Sequence, residues 1–140
     1  MKKSLWSTAI IATLLFLNYC SNTKQLTSQT EVLFRSKWKL AELQGQQVSD
    51  SAKSSFEFTP GKISGSTGCN RLSAGFVAGK HQAIRFSPDS LSKEVCSNET
   101  AAALEAKFLD ALSKSTKWDM KAGELWLGDG ERTLIKLRSF

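Results

Sequence analysis

The sequence predicts an α+β fold, mostly β: a small antiparallel curved sheet or barrel of about seven strands with one amphipathic helix packed on it. Three observations carry this. Short runs alternate apolar and polar residues and stop at glycine or proline. One stretch alone, 99–114, spaces its apolar residues for a helix. Between the strand signals, Gly65-Ser66-Thr67-Gly68-Cys69-Asn70-Arg71 sets two glycines around a cysteine, where backbone must bend or be approached closely.

The N-terminal part reads as an export segment. Lys2 and Lys3 precede a 13-residue apolar run, Leu5 to Leu17, which has the anatomy of a signal peptide over 1–19. That run is short of the ~20 residues that cross a bilayer, although an uncleaved anchor is the competing reading. Leu17-Asn18-Tyr19-Cys20 resembles a bacterial lipobox, with Tyr19 standing where a small residue is usual. Cys20 is accordingly the expected lipidation site, since several acyl chains anchor durably where one does not. Residues 20–33 are polar with few apolar side chains and read as a lipid-anchored flexible tether. The folded domain is expected over 34–140.

Its elements follow in order. Lys37 to Leu43 opens with alternation that puts Trp38 and Leu40 on one strand face, and Gln44-Gly45 supplies a turn. Phe56-Glu57-Phe58 alternates again and ends at Pro60-Gly61, which suits a type II turn. Ile63 begins the return strand into the glycine pair. Leu72 to Val77 forms a strand that bends at Gly75, and Ala83 to Phe86 returns from it, with Ser87-Pro88-Asp89-Ser90 expected to break the pattern. In the helix, Leu104, Phe108 and Leu112 recur at i, i+4, i+8, flanked by Ala101 and Ala111. Ser97 or Asn98 is its cap, Glu99 suits the first turn and Lys114 the last. Lys117 to Met120, Leu125-Trp126-Leu127 and Thr133 to Leu137 complete the strands, with Gly128-Asp129-Gly130 as a tight hairpin.

Composition narrows the function. The 140 residues carry a net charge of +6, but the positive residues are scattered, and two lie in the export segment. A solvated basic surface explains this, and no nucleic-acid partner is expected. His81, the single histidine, sits in a Gly-Lys-His-Gln turn with no nucleophile elbow nearby. Glu94, Asp110, Asp119 and Glu124 stand singly on polar faces. No enzymatic activity is expected. Cys69 and Cys96 admit three states in an exported chain: a disulfide, favoured by an oxidising compartment, two buried thiols, or a metal or redox pair. Only His81 lies between them and no CxxC or HxxxH spacing accompanies them, so neither metal nor cofactor is expected. Asn70 reads as a left-handed turn residue bonding nearby backbone, and Arg71 as a packed stem with its head on a carboxylate. A binding role for the pair is the alternative.

The chain resembles the META domain family, HslJ-like bacterial lipoproteins, over about 100 residues from Trp38 onward. The resemblance rests on Trp38-Lys39-Leu40, Phe56-Glu57-Phe58, Ile63 through Arg71, Gly75-Phe76, Val95-Cys96, Phe108 with Leu112, and Leu125-Trp126-Leu127. Ser92 stands where members usually have threonine, keeping a hydroxyl and losing a methyl. The resemblance implies a compact β-rich domain without established enzymatic activity, often lipid-anchored and tied to envelope stress, drug tolerance or virulence. It implies Gly65, Gly68, Asn70 and Arg71 as the signature. The expected protein is a monomer held at the cell envelope, most simply the outer membrane, by its lipid anchor, with an envelope protein as partner. The alternative is a barrel that carries an apolar ligand, or a pilot or inhibitor of another envelope protein.

Overall fold

The computed structural model describes residues 29–92, 95, 96 and 98–140; the expected signal peptide, Cys20, most of the expected tether, Glu94 and Ser97 lie outside the described residues. Residues 29–35 form helix α1, and the compact unit runs from Leu33 to Phe140. Leu33 is itself a core residue and its carbonyl accepts the Trp38 indole N–H at 3.1 Å.

Among the described residues nine strands follow: β1 (Lys37–Leu43), β2 (Gln46–Gln47), β3 (Ser55–Thr59), β4 (Lys62–Ser66), β5 (Arg71–Ala78), β6 (Ile84–Leu91), β7 (Lys117–Lys121), β8 (Glu124–Gly128) and β9 (Thr133–Ser139). Their order is β6-β5-β4-β3-β1-β9-β8-β7, all neighbours antiparallel, with the short β2 hanging from β1. The two ends meet at an Ala83–Lys117 bridge, where Ile84 N–H donates to Thr116 O at 3.0 Å and Trp118 N–H to Gln82 O at 2.9 Å. The sheet is thus a nearly closed barrel. Helix α2 (Glu99–Lys114) links β6 to β7 and touches β1, β6, β8 and β9, so it packs against both halves of the sheet.

The alternation of the strands fills the interior. Trp38, Phe56, Phe58 and Phe108 are fully buried beside Leu40, Ile63, Leu125, Leu127, Ile135 and Leu137. Burying each of these side chains stabilises the fold by roughly 1.5–3 kcal/mol. Phe108 of α2 stacks on Phe56 of β3 at 4.8 Å between centroids, which seats the helix. Asn98 rather than Ser97 is the cap seen, its side chain accepting Ala101 N–H at 2.7 Å.

Two local expectations are corrected. Ser87-Pro88-Asp89-Ser90 does not end the strand: β6 runs through it, and the register slips between Ser73 and Ala74, with Ala74 facing Pro88 and Ser73 facing Ser90. Proline lacks an N–H, and an edge strand with a bulge tolerates that loss. The β8–β9 connection is a four-residue loop, not a tight hairpin, because the Asp129 carboxylate accepts the N–H groups of Glu131 at 3.0 Å and Arg132 at 2.8 Å.

Outside, the β-sheet carries cross-strand ion pairs. Glu42 pairs with Lys136 at 2.9 Å and Glu124 with Arg138 at 3.0 Å, and Lys39 of β1 reaches Asp50 in the turn before β3 at 2.8 Å. Trp126 points outward among them, with the ammonium groups of Lys121 and Lys136 each 4.6 Å from its ring. The Arg138 hydrogen bond holds the Glu124 carboxyl below its ordinary 4.5, and the Arg132 and Glu131 amides hold Asp129 below 3.8. A depressed folded-state value means stability that is complete above the ordinary value and lost as pH falls through the depressed one. Thermal melts are therefore expected to be flat from pH 7 to about 5 and to drop below about pH 4.5. The acid loss is smaller in Glu124→Gln and in high salt, since these pairs are exposed.

Candidate functional site

The glycine signature lies at the end of β4 and the start of β5, and its conformation is dictated by neighbouring backbone. Gly65 pairs with Phe56 in the β3–β4 ladder; a Cβ there would collide with Ser55 O and lie 2.8 Å from the Phe56 Cα. Gly68 has φ +111°, a region L side chains rarely adopt, and a Cβ would drive into Ala52 O. Both glycines let two backbone segments touch.

Beyond Gly68 the chain is clamped covalently. Cys69 and Cys96 form a disulfide, Cα atoms 5.4 Å apart, which ties the signature to the segment entering α2. Asn70 lies immediately beside it and is buried. It is not in the left-handed region, contrary to the turn expected for it. Instead it is the centre of a polar network. Its backbone N–H donates to Glu105 Oε2 at 2.9 Å and its Nδ2 donates to Glu105 Oε1 at 2.7 Å. Thr67 Oγ1 donates to Glu105 Oε2 at 3.3 Å. Ser92 Oγ donates to Asn70 Oδ1 at 3.0 Å while accepting Arg71 N–H at 3.0 Å, so the hydroxyl left by the threonine-to-serine departure is used twice.

Glu105 was not legible as a site residue. The residue is 7% exposed, and no lysine or arginine pairs with its carboxylate among the described residues. The signal is present in hindsight: Ala101, Glu105, Phe108 and Leu112 form an i, i+4, i+7, i+11 stripe, with a charge inside the apolar face.

Arg71 departs from expectation in the other direction. Its side chain is exposed and makes no ion pair among the described residues, so it is not the packed, carboxylate-bound arginine predicted. Asn70→Ala removes the donor to Glu105 Oε1 and the acceptor of Ser92 Oγ, leaving one oxygen of a buried carboxylate without that donor, and is expected to destabilise by about 2–4 kcal/mol. Arg71→Ala is expected to stay within about 0.5 kcal/mol. Urea unfolding of both variants checks the contrast.

The other singled-out polar residues fall outside this network. His81 is an exposed turn residue with φ +56° whose carbonyl accepts Lys117 Nζ. Asp110 pairs with Lys114 and Asp119 with Lys121. Beside the signature, Thr67 and Gly68 form one wall of a groove of about 610 Å³, floored by Leu43, Val48 and Leu104 and rimmed by Lys53 and Lys107.

Comparison with known proteins places this arrangement. A family model described as the META domain matches residues 31–139. A DUF4847-family protein from Bacteroides vulgatus superposes with a TM-score of 0.55 at 14% identity, covering 77% of this chain and 94% of that one. A second protein, solved by NMR, superposes at 0.57 with 21% identity, covering 77% and 92%. At these identities both likenesses show the fold alone. No curated protein matches the sequence.

Proposed function

The chain belongs to the META domain family, and from that premise we propose that it is an exported, lipid-anchored binding or structural protein of the bacterial envelope and not an enzyme. The observation that carries this reading is the Cys69–Cys96 disulfide, a bond at home in an oxidising compartment. It agrees with the charged and apolar segments before Cys20. The signature residues support a scaffold role: Gly65, Gly68 and Asn70 serve backbone approach and buried hydrogen bonds.

The interior supports surface binding over carriage. Trp38, Phe56, Phe58 and Phe108 occupy the space that an apolar cargo would need. A partner protein would therefore meet the outside, and the groove beside Thr67 and Leu104, with its mixed polar and apolar lining, is the concave surface that would take an extended peptide segment. The role in envelope stress or drug tolerance follows the family, as does the outer membrane as address.

The test is the intact mass of native protein extracted in detergent, with alkylation before and after reduction. A mass fitting residues 20–140 plus a diacylglyceryl group, with Cys69 and Cys96 alkylated only after reduction, is expected. An unprocessed mass or freely alkylated thiols would refute export through this route.

A further inference from the structure

The Asn70 network satisfies the hydrogen bonds of Glu105 without neutralising its charge. The two sulfur atoms nearest that charge belong to the disulfide: Cys69 Sγ, Cys96 Sγ and a Glu105 carboxylate oxygen all lie within 4.8 Å of one another. We propose that the reduced chain holds a thiophilic divalent cation, Zn²⁺ or Cd²⁺, on Cys69, Cys96 and Glu105, so that disulfide and metal are alternative states of one site.

The geometry needs little movement. Tetrahedral zinc with bonds of about 2.3 Å to sulfur and about 2.0–2.2 Å to carboxylate oxygen sets its ligand atoms roughly 3.5–3.8 Å apart. Breaking the disulfide lets the sulfurs separate to that distance, and the oxygen, within 4.8 Å of both, closes on them by a side-chain adjustment. Cys69 and Cys96 are each only partly buried, which leaves the sulfurs within reach of solvent. The ligand shell is also supported. Asn70 Nδ2 lies 3.5 Å from Cys69 Sγ and 3.9 Å from Cys96 Sγ, placed to donate to thiolates, and the same amide orients Glu105. Groups that fix ligands in this way raise metal affinity. Two thiolates select zinc or cadmium over calcium and magnesium.

The chemistry balances. A dithiol reductant gives two electrons and two protons to the Cys69–Cys96 bond, forming two thiols and leaving the reductant as its own disulfide. The cation then replaces the two thiol protons, which are released to solvent, and a water fills the fourth position. The only histidine between the cysteines is His81. The third ligand comes from α2, beyond Cys96.

The full-length chain is reduced anaerobically with a dithiol, freed of it by gel filtration, and titrated with Cd²⁺ while the thiolate-to-cadmium charge-transfer absorption is followed. One equivalent is expected to bind the reduced protein and none to produce this band in the oxidised protein. Glu105→Gln is expected to weaken binding about 10–100-fold, and the double Cys69→Ser, Cys96→Ser variant to abolish the band. Absence of the band in the reduced chain, or an unchanged affinity in Glu105→Gln, would overturn the site. Circular dichroism before metal addition guards the reading: a reduced chain already unfolded would overturn it equally, because the ligands would then not be preassembled.

Discussion

Gly68→Ala is expected to destabilise the protein by roughly 3–5 kcal/mol, enough to remove a third or more of a typical domain's stability. Two terms add. A φ of +111° is strained for any residue with a Cβ, worth about 1–2 kcal/mol. The methyl group also meets Ala52 O, which is backbone and cannot swing aside. Gly65→Ala is expected to do as much through contact with Ser55 O and Phe56. Moving Ser55 would open the β3–β4 ladder at Ser55–Ser66. Gly79→Ala is the control: its Cβ would meet the Ala83 Cβ at 3.4 Å, ordinary contact, and the change should stay within about 0.5 kcal/mol. Urea denaturation midpoints decide it, and equal midpoints for Gly68→Ala and Gly79→Ala would refute the close-approach account.

Opening the disulfide is the second large effect. The bond spans 27 residues, and closing a loop of that length restricts the unfolded chain by about 3.5 kcal/mol. Reduction, or Cys69→Ser with Cys96→Ser, is expected to lower the melting temperature by roughly 4–8 °C per kcal/mol, a fall of some tens of degrees at most. The domain is expected to remain folded at room temperature, because the packed interior and the Asn70–Glu105 network do not depend on the bond. Melts with and without reductant give the number; a shift under about 5 °C would mean that the network alone holds the signature in place.

How much of this the sequence disclosed depends on which physical cause was local. Trp38, Phe56, Phe58 and Phe108 were legible as core, since alternation and helical spacing are properties of the chain itself. The Ala41 irregularity in β1, where the register shifts between Leu40 and Glu42, was not, yet it is what turns Leu43 inward after Trp38 and Leu40. Pro88 was misread because a proline's tolerance depends on lying at an edge, and edges are settled by pairing far along the chain. Glu105 was passed over because a glutamate on a helix ordinarily faces water. Only the arrival of Asn70 from the opposite side of the fold makes its burial affordable. Asn70 itself was singled out for the wrong reason: a turn explains asparagine locally, whereas here its amide bridges β5, α2 and Ser92. Arg71, its neighbour, was given a partner that the described residues do not supply.

The placement of β9 has a consequence for how the molecule is made. It lies between β1 and β8, so β7 and β8 join the rest of the sheet chiefly through a strand that follows all the others described in the chain. Pairings such as Trp38 with Ser139 demand that the two ends of the domain find each other before the sheet is whole. Sheets dominated by such distant contacts fold slowly, in milliseconds to seconds. A ribosome that has not yet delivered Thr133 to Ser139 holds a chain that lacks the strand joining β1 to β8, so the sheet closes only once β9 has emerged.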